Sequence, residues 1–128
     1  MIDPAEPNEA VATFLAERHL ATLTTLRADG SPHVVAVGFS YEAATQTARV
    51  ITFASSVKAR NAVRGGRAAV CQVDGGRWLT LEGTVSLATD AESVATAVSG
   101  YAARYRPPGE RADRVAVEIA VDRILGRA

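Results

Sequence analysis

Apolar residues recur along the chain with two spacings, and each change of spacing marks an element. Val11, Phe14 and Leu15 follow helical spacing, which predicts a short amphipathic helix over Asn8 to Arg18. Leu20 to Arg27 is rich in Leu and Thr and predicts a strand, with turn chemistry after it in Ala28-Asp29-Gly30-Ser31-Pro32. His33, Val35, Val37, Phe39 and Tyr41 alternate with smaller residues, as in a second strand that completes an antiparallel hairpin. Arg49 to Phe53 is apolar on both faces and reads as a central strand. Ser55 and Ser56 offer N-caps to a helix over Val57 to Arg64, which Gly65-Gly66 ends.

Ala68 to Val73 predicts a fourth strand, and Asp74-Gly75-Gly76 a tight turn. In the fifth, Leu79, Leu81, Val85 and Leu87 point inward while Thr80, Glu82, Thr84 and Ser86 face out. Thr89-Asp90-Ala91-Glu92 matches a capping box, and Val94, Val98, Tyr101, Ala102 and Tyr105 keep a helical period until Pro107-Pro108. Val115, Val117, Ile119 and Val121 alternate in a last strand from Arg114. The order is helix, three strands, helix, two strands, helix, strand. It predicts a mainly β (α+β) fold, a six-stranded antiparallel barrel, closed or partly closed, with short flanking helices.

A length of 128 residues, 48% of them hydrophobic, suits a single domain over residues 1–128. Cys71 is the only cysteine, so no internal disulfide forms, and no apolar run reaches membrane-spanning length. The N-terminus lacks signal-peptide features, and a cytoplasmic protein is expected. Zero net charge argues against nucleic-acid or membrane binding. The distribution of charge is uneven, however. No acidic residue lies between Glu42 and Asp74, whereas Arg49, Lys58, Arg60, Arg64 and Arg67 all do.

That cationic middle contains the one awkward placement. Lys58 and Arg60 fall in the first turn of the predicted helix, where unpaired N–H groups already disfavour cations. The placement makes sense if the ligand is an anion. Free amides, the hydroxyls of Ser55 and Ser56, and the Lys58 ammonium would together hold a phosphate, with Asn61 three residues on as a further donor. A merely solvated helix face would carry acids at i±4 or in the first turn, and this one has none. The glycines follow the lysine, so this is no P-loop.

Cys71 reads as a small core residue, and His19 and His33 lack metal-ligand spacing. His33 follows a Gly30-Ser31-Pro32 turn that can bring it to a ligand, although such a histidine is usually structural. Trp78 is either a dimer contact or a stacking platform, and Gln72 faces either a cavity or solvent. No catalytic triad, carboxylate dyad or metal cluster can be assembled. An enzyme of this kind would leave the reaction to an organic cofactor.

Leu23-Thr24-Thr25-Leu26, Asp29-Gly30-Ser31-Pro32-His33, Arg49-Val50-Ile51-Thr52, Ser56-Val57-Lys58-Ala59-Arg60-Asn61 and Gln72 to Gly83 together cover nearly the whole chain. In these stretches it resembles the split β-barrel superfamily of pyridoxamine-phosphate-oxidase-like flavin and deazaflavin proteins, in particular the actinobacterial branch that uses coenzyme F420. The resemblance implies a homodimer with the cofactor in a groove between subunits. Its phosphate would meet Ser55, Ser56, Lys58 and Arg60. Its ring would lie along Val50, Ile51 and Thr52, near Pro32, His33, Asn61 and Trp78. The implied activity is hydride transfer from reduced F420 to a small-molecule conjugated acceptor such as biliverdin, whose propionates would meet Arg106 and other arginines at the mouth. FMN also presents a phosphate and a tricyclic ring, so an FMN-dependent oxidoreductase or a non-catalytic flavin, deazaflavin or tetrapyrrole carrier fits the same residues. The chain ends Asp122-Arg123-Ile124-Leu125-Gly126-Arg127-Ala128, without the Trp/Arg/His substrate motif of true pyridoxamine phosphate oxidases, so vitamin B6 oxidation is not expected.

Overall fold

Asn8 caps α1 (Glu9–Ala16) by accepting the Val11 amide, and the helix buries Val11, Phe14 and Leu15. The computed structural model describes residues 1–128. After α1 come β1 (Ala21–Leu26), β2 (Pro32–Val37), β3 (Ser40–Glu42), β4 (Thr47–Phe53), α2 (Val57–Arg64), β5 (Arg67–Asp74), β6 (Arg77–Ala88), α3 (Ala91–Arg104) and β7 (Arg114–Arg127). Seven strands form one antiparallel sheet in the order β2-β1-β5-β6-β7-β4-β3. The alternation in β6 holds, with Leu79, Leu81 and Val85 buried. They join Phe14, Leu23, Phe39, Val70 and Ile119 in a core of 19 residues. Each such side chain contributes about 1.5–3 kcal/mol of burial.

The sheet has seven strands where six were predicted, because the stretch from Pro32 to Glu42 bends at Gly38-Phe39. Its first half pairs with β1, from Leu26↔Pro32 to Ala21↔Val37. Its second half pairs with β4, Ser40 opposite Arg49. β1 and β4 lie toward opposite ends of the strand order, so this one stretch closes the barrel at its bend and leaves β2 and β4 apart beyond it. The barrel is split there.

The end of α3 holds the bend. Arg104, only 7% exposed, donates from Nη1 to Phe39 O at 2.8 Å, from Nε to Glu17 O at 2.8 Å and from Nη2 to Gln72 Oε1 at 2.7 Å. Its guanidinium also stacks 4.7 Å from the Phe39 ring. The Phe39 amide donates to Tyr105 Oη at 3.1 Å, and that hydroxyl donates to His19 O at 2.6 Å. A Cβ on Gly38 would lie 3.0 Å from the Tyr101 and Tyr105 rings, so a larger residue there would have to push them back by a few tenths of an ångström.

Three details differ from the sequence pattern. Asp90 caps α3 by accepting the Ser93 amide, one residue later than the Thr89 box implies. Ala97 and Arg104 are its buried positions, while Val94, Val98 and Tyr101 are half-buried. β7 continues past Val121 to Arg127 after a register shift at Glu82/Gly83, which lets Ile124 enter the core. No helix is long and apolar enough to cross a membrane.

Candidate functional site

α2 is pinned from behind, and this leaves one face of it free. Its cap Ser56 accepts the Ala59 amide at 3.2 Å and receives the Thr52 hydroxyl at 3.0 Å. Asn61, 3% exposed, donates to Thr25 Oγ1 at 2.9 Å. Arg64 donates to Asn61 Oδ1 and to Leu26 O, which locks the last turn onto β1. Gly65 ends the helix at φ 76°, a conformation that glycine adopts without strain.

Lys58 stands on the free face, half-buried. Burial alone pushes its ammonium below the usual lysine range, with no carboxylate or acceptor to offset it. It lines a cleft of about 300 Å³ at the split of the barrel, between Ala36–Gly38 on one wall and Val50–Phe53 on the other. Tyr101, Pro108, Arg111 and Arg114 complete the lining, which includes no Asp or Glu.

One wall also exposes unpaired backbone. Gln46 O accepts from Val121 and the Ala54 amide donates to Asp113 O, so the even-numbered residues of β4 turn their polar groups toward β7. The odd-numbered residues turn theirs the other way. There β3 covers Thr47 and Arg49, and the Ser56 amide covers Phe53 O. The N–H and C=O of Ile51 are left facing the cleft without a ladder partner. These groups are open to water or to a ligand in the cleft.

Of the residues selected from the sequence, Val50, Ile51, Thr52 and Lys58 meet in the cleft. Ser56 lies behind it as the helix cap, while Ser55 and Arg60 are exposed beside it. Asn61 does not share Lys58's surroundings, since its amide is committed to Thr25 and Arg64. Pro32 and His33 sit at the far end of β2, opposite Leu26 and Thr25, and His33 Nδ1 is buried without a partner. Trp78 is exposed on β6, between Val73 and Arg127. Arg106 is exposed beyond α3 and does not line the cleft. Gln72 is buried, donating to Phe14 O at 3.1 Å and accepting from Arg104. Cys71 is half-buried on the outer face of the sheet rather than in the core.

Tyr101, Arg111 and Arg114 were not selected from the sequence. Arg114 pairs with Phe53 across the ladder, and the Arg111 guanidinium lies 4.3 Å from the Phe53 ring centroid. Only the β4–β7 pairing reveals that the segment after Pro107-Pro108 borders the cleft.

Residues 7–128 match the family of pyridoxamine 5'-phosphate oxidase. The chain belongs to that family. Within this pyridoxamine 5'-phosphate oxidase family it is 55% identical over 115 residues to an F420H(2)-dependent biliverdin reductase from Mycobacterium tuberculosis, covering 90% of this chain and 84% of the relative. Its structure is similar to that of a conserved hypothetical protein from Mycobacterium tuberculosis, with a TM-score of 0.78 at 25% identity, over 94% of this chain and 84% of the other. An F420 reductase superposes with a TM-score of 0.73 at 24% identity, over 93% and 98% of the two chains, a likeness of fold.

Proposed function

We propose that this chain is an F420-dependent reductase that passes a hydride from reduced F420 to a conjugated acceptor of the biliverdin kind. The observation that carries this reading is an unpartnered, half-buried Lys58 in an acid-free cleft beside the open edge of Ile51. The 55% identity to an F420H(2)-dependent biliverdin reductase supports the choice of cofactor and acceptor.

Bound reduced F420 supplies the hydride. The chain supplies position. Lys58, the exposed hydroxyl of Ser55 and the Val57 and Lys58 amides at the start of α2 would hold the phosphate, with Arg60 adding charge from outside. The N–H and C=O of Ile51 would be available to the hydrogen-bonding edge of the ring. Val50 and the Ala36–Gly38 wall line the cleft and would shield the ring from water. The cleft is lined by no carboxylic acid, so the protein contributes binding and orientation rather than a carboxyl proton.

The same reading makes the protein a cytoplasmic homodimer. Val73, Trp78 and Leu125 are exposed on the outer face of β5, β6 and β7. In register with Leu125 runs a row of small residues, Thr80, Cys71, Thr22 and Ala36. Such a face suits a second copy of the chain, and it favours Trp78 as a subunit contact.

Fluorescence titration of the ligand-free protein with F420 and FMN in parallel tests the cofactor, and anaerobic mixing with reduced F420 and biliverdin tests the reaction. Saturable F420 binding with acceptor-dependent oxidation of the deazaflavin is expected. Tight binding without turnover on any conjugated acceptor would make this a carrier, and preference for FMN would replace the cofactor.

A further inference from the structure

The cleft carries more positive charge than one phosphate requires. Lys58, Arg111 and Arg114 all line it, and all three cluster at the Phe53 end of β4. The one acid bonded to any of the three is Asp113, which accepts from Arg111 Nε at 2.6 Å. Three cations against one carboxylate leave an excess of two positive charges, whereas a phosphodiester brings one negative charge. The Arg111 hydrogen bond, with the charge of Arg114 adding to it, holds the Asp113 carboxyl below its usual range, so this acid stays ionised and fully counted.

The arginines are also held in place with donors to spare. Arg111 is fixed by Asp113 and by stacking on Phe53, which leaves its two terminal nitrogens open. Arg114 donates from Nη1 to Gly109 O at 2.8 Å, leaving Nε and Nη2. Two restrained guanidinium forks suit the planar geometry of carboxylates better than a lone ammonium does.

We propose that Arg111 and Arg114 form a carboxylate-binding subsite at the Lys58 end of the cleft, beside the phosphate position. The inference rests on the functional reading above and extends it, because it names the second charged group that the ligand must carry. That carboxylate comes either from the glutamate tail by which F420 differs from FMN, or from the propionates of a linear tetrapyrrole acceptor.

The test compares wild type, the double variant Arg111→Met/Arg114→Met, and a control double variant Arg18→Met/Arg123→Met that removes two exposed arginines outside the cleft. Dissociation constants are measured for F420, FMN, biliverdin and biliverdin dimethyl ester, with thermal melts to confirm folding. If the double variant fails to fold, Arg114→Gln alone is measured instead. A cofactor-tail source predicts about tenfold to a hundredfold weaker F420 binding with FMN unchanged. An acceptor source predicts unchanged F420 binding and loss of a wild-type preference for biliverdin over its ester. Equal weakening of F420 and FMN, no change in any ligand, or the same effect in the control variant overturns the subsite. A wild type that ignores F420 sinks the functional reading instead, while the acid-versus-ester comparison still decides the role of the arginines.

Discussion

β6 and β4 are both interior strands of one sheet, yet they differ in how completely they are paired. β6 is matched to β5 over eight residues and to β7 from Trp78 to Ala88, and its inward leucines are sealed in the core. β4 is matched to β7 over all seven of its residues but to β3 over only three. Its remaining edge opens into a cleft whose lining has cations and no acids. A fully paired strand has no polar backbone left to offer a ligand. A half-paired one keeps donors and acceptors in a fixed line, where water holds them until a ligand arrives.

The contrast is broken most severely at the bend that keeps β2 away from β4. Arg104→Met removes three hydrogen bonds and leaves buried carbonyl oxygens unpaired, so urea denaturation should show a loss of about 3 kcal/mol or more. A loss below about 1 kcal/mol would mean that something else holds the bend.

Lys58→Met sharpens the contrast from inside the cleft. Affinity for F420 should fall by about 1.5–3 kcal/mol, roughly tenfold to a hundredfold. Ligand-free stability should hold or rise. The sign follows from burial: the folded pKa lies below the ordinary 10.5, so the unfolded chain binds more protons between the two values. Wild-type stability without ligand should therefore increase as pH rises toward 10.5. The variant should lose that slope, and unchanged affinity would return Lys58 to the status of a surface charge.

Gly38→Ala is the mildest intervention. Its methyl would crowd the Tyr101 and Tyr105 rings at 3.0 Å, at a cost of about 1 kcal/mol, and would narrow the cleft. Stability and F420 affinity should decline together; an unaffected affinity would show that this wall is not in contact with the ligand.

Most elements were legible because their patterns are local. Leu79 to Leu87 alternates cleanly, and Ser56 and Gly65 bound α2 as caps do. The bend at Gly38 was invisible because Val37 and Phe39 are both buried, so alternation of apolar residues runs through it unbroken. What turns the chain is Arg104 and Tyr105, more than sixty residues away. Asn61 misleads for a geometric reason: three residues on a helix rotate a side chain about 60° from its predecessor's position. Here that rotation takes Asn61 from Lys58's cleft into the barrel wall. Arg111 and Arg114 lie beyond two prolines, and only strand register reveals what they border.

The half-paired edge also gives β4 a built-in isotope label. In deuterated water the amide protons of Val50 and Thr52, held in the β7 ladder, should persist, while the Ile51 proton between them is replaced quickly. A coenzyme seated along that edge would slow the exchange of Ile51 and leave its neighbours as they were, so a single amide resonance would report whether the site is filled.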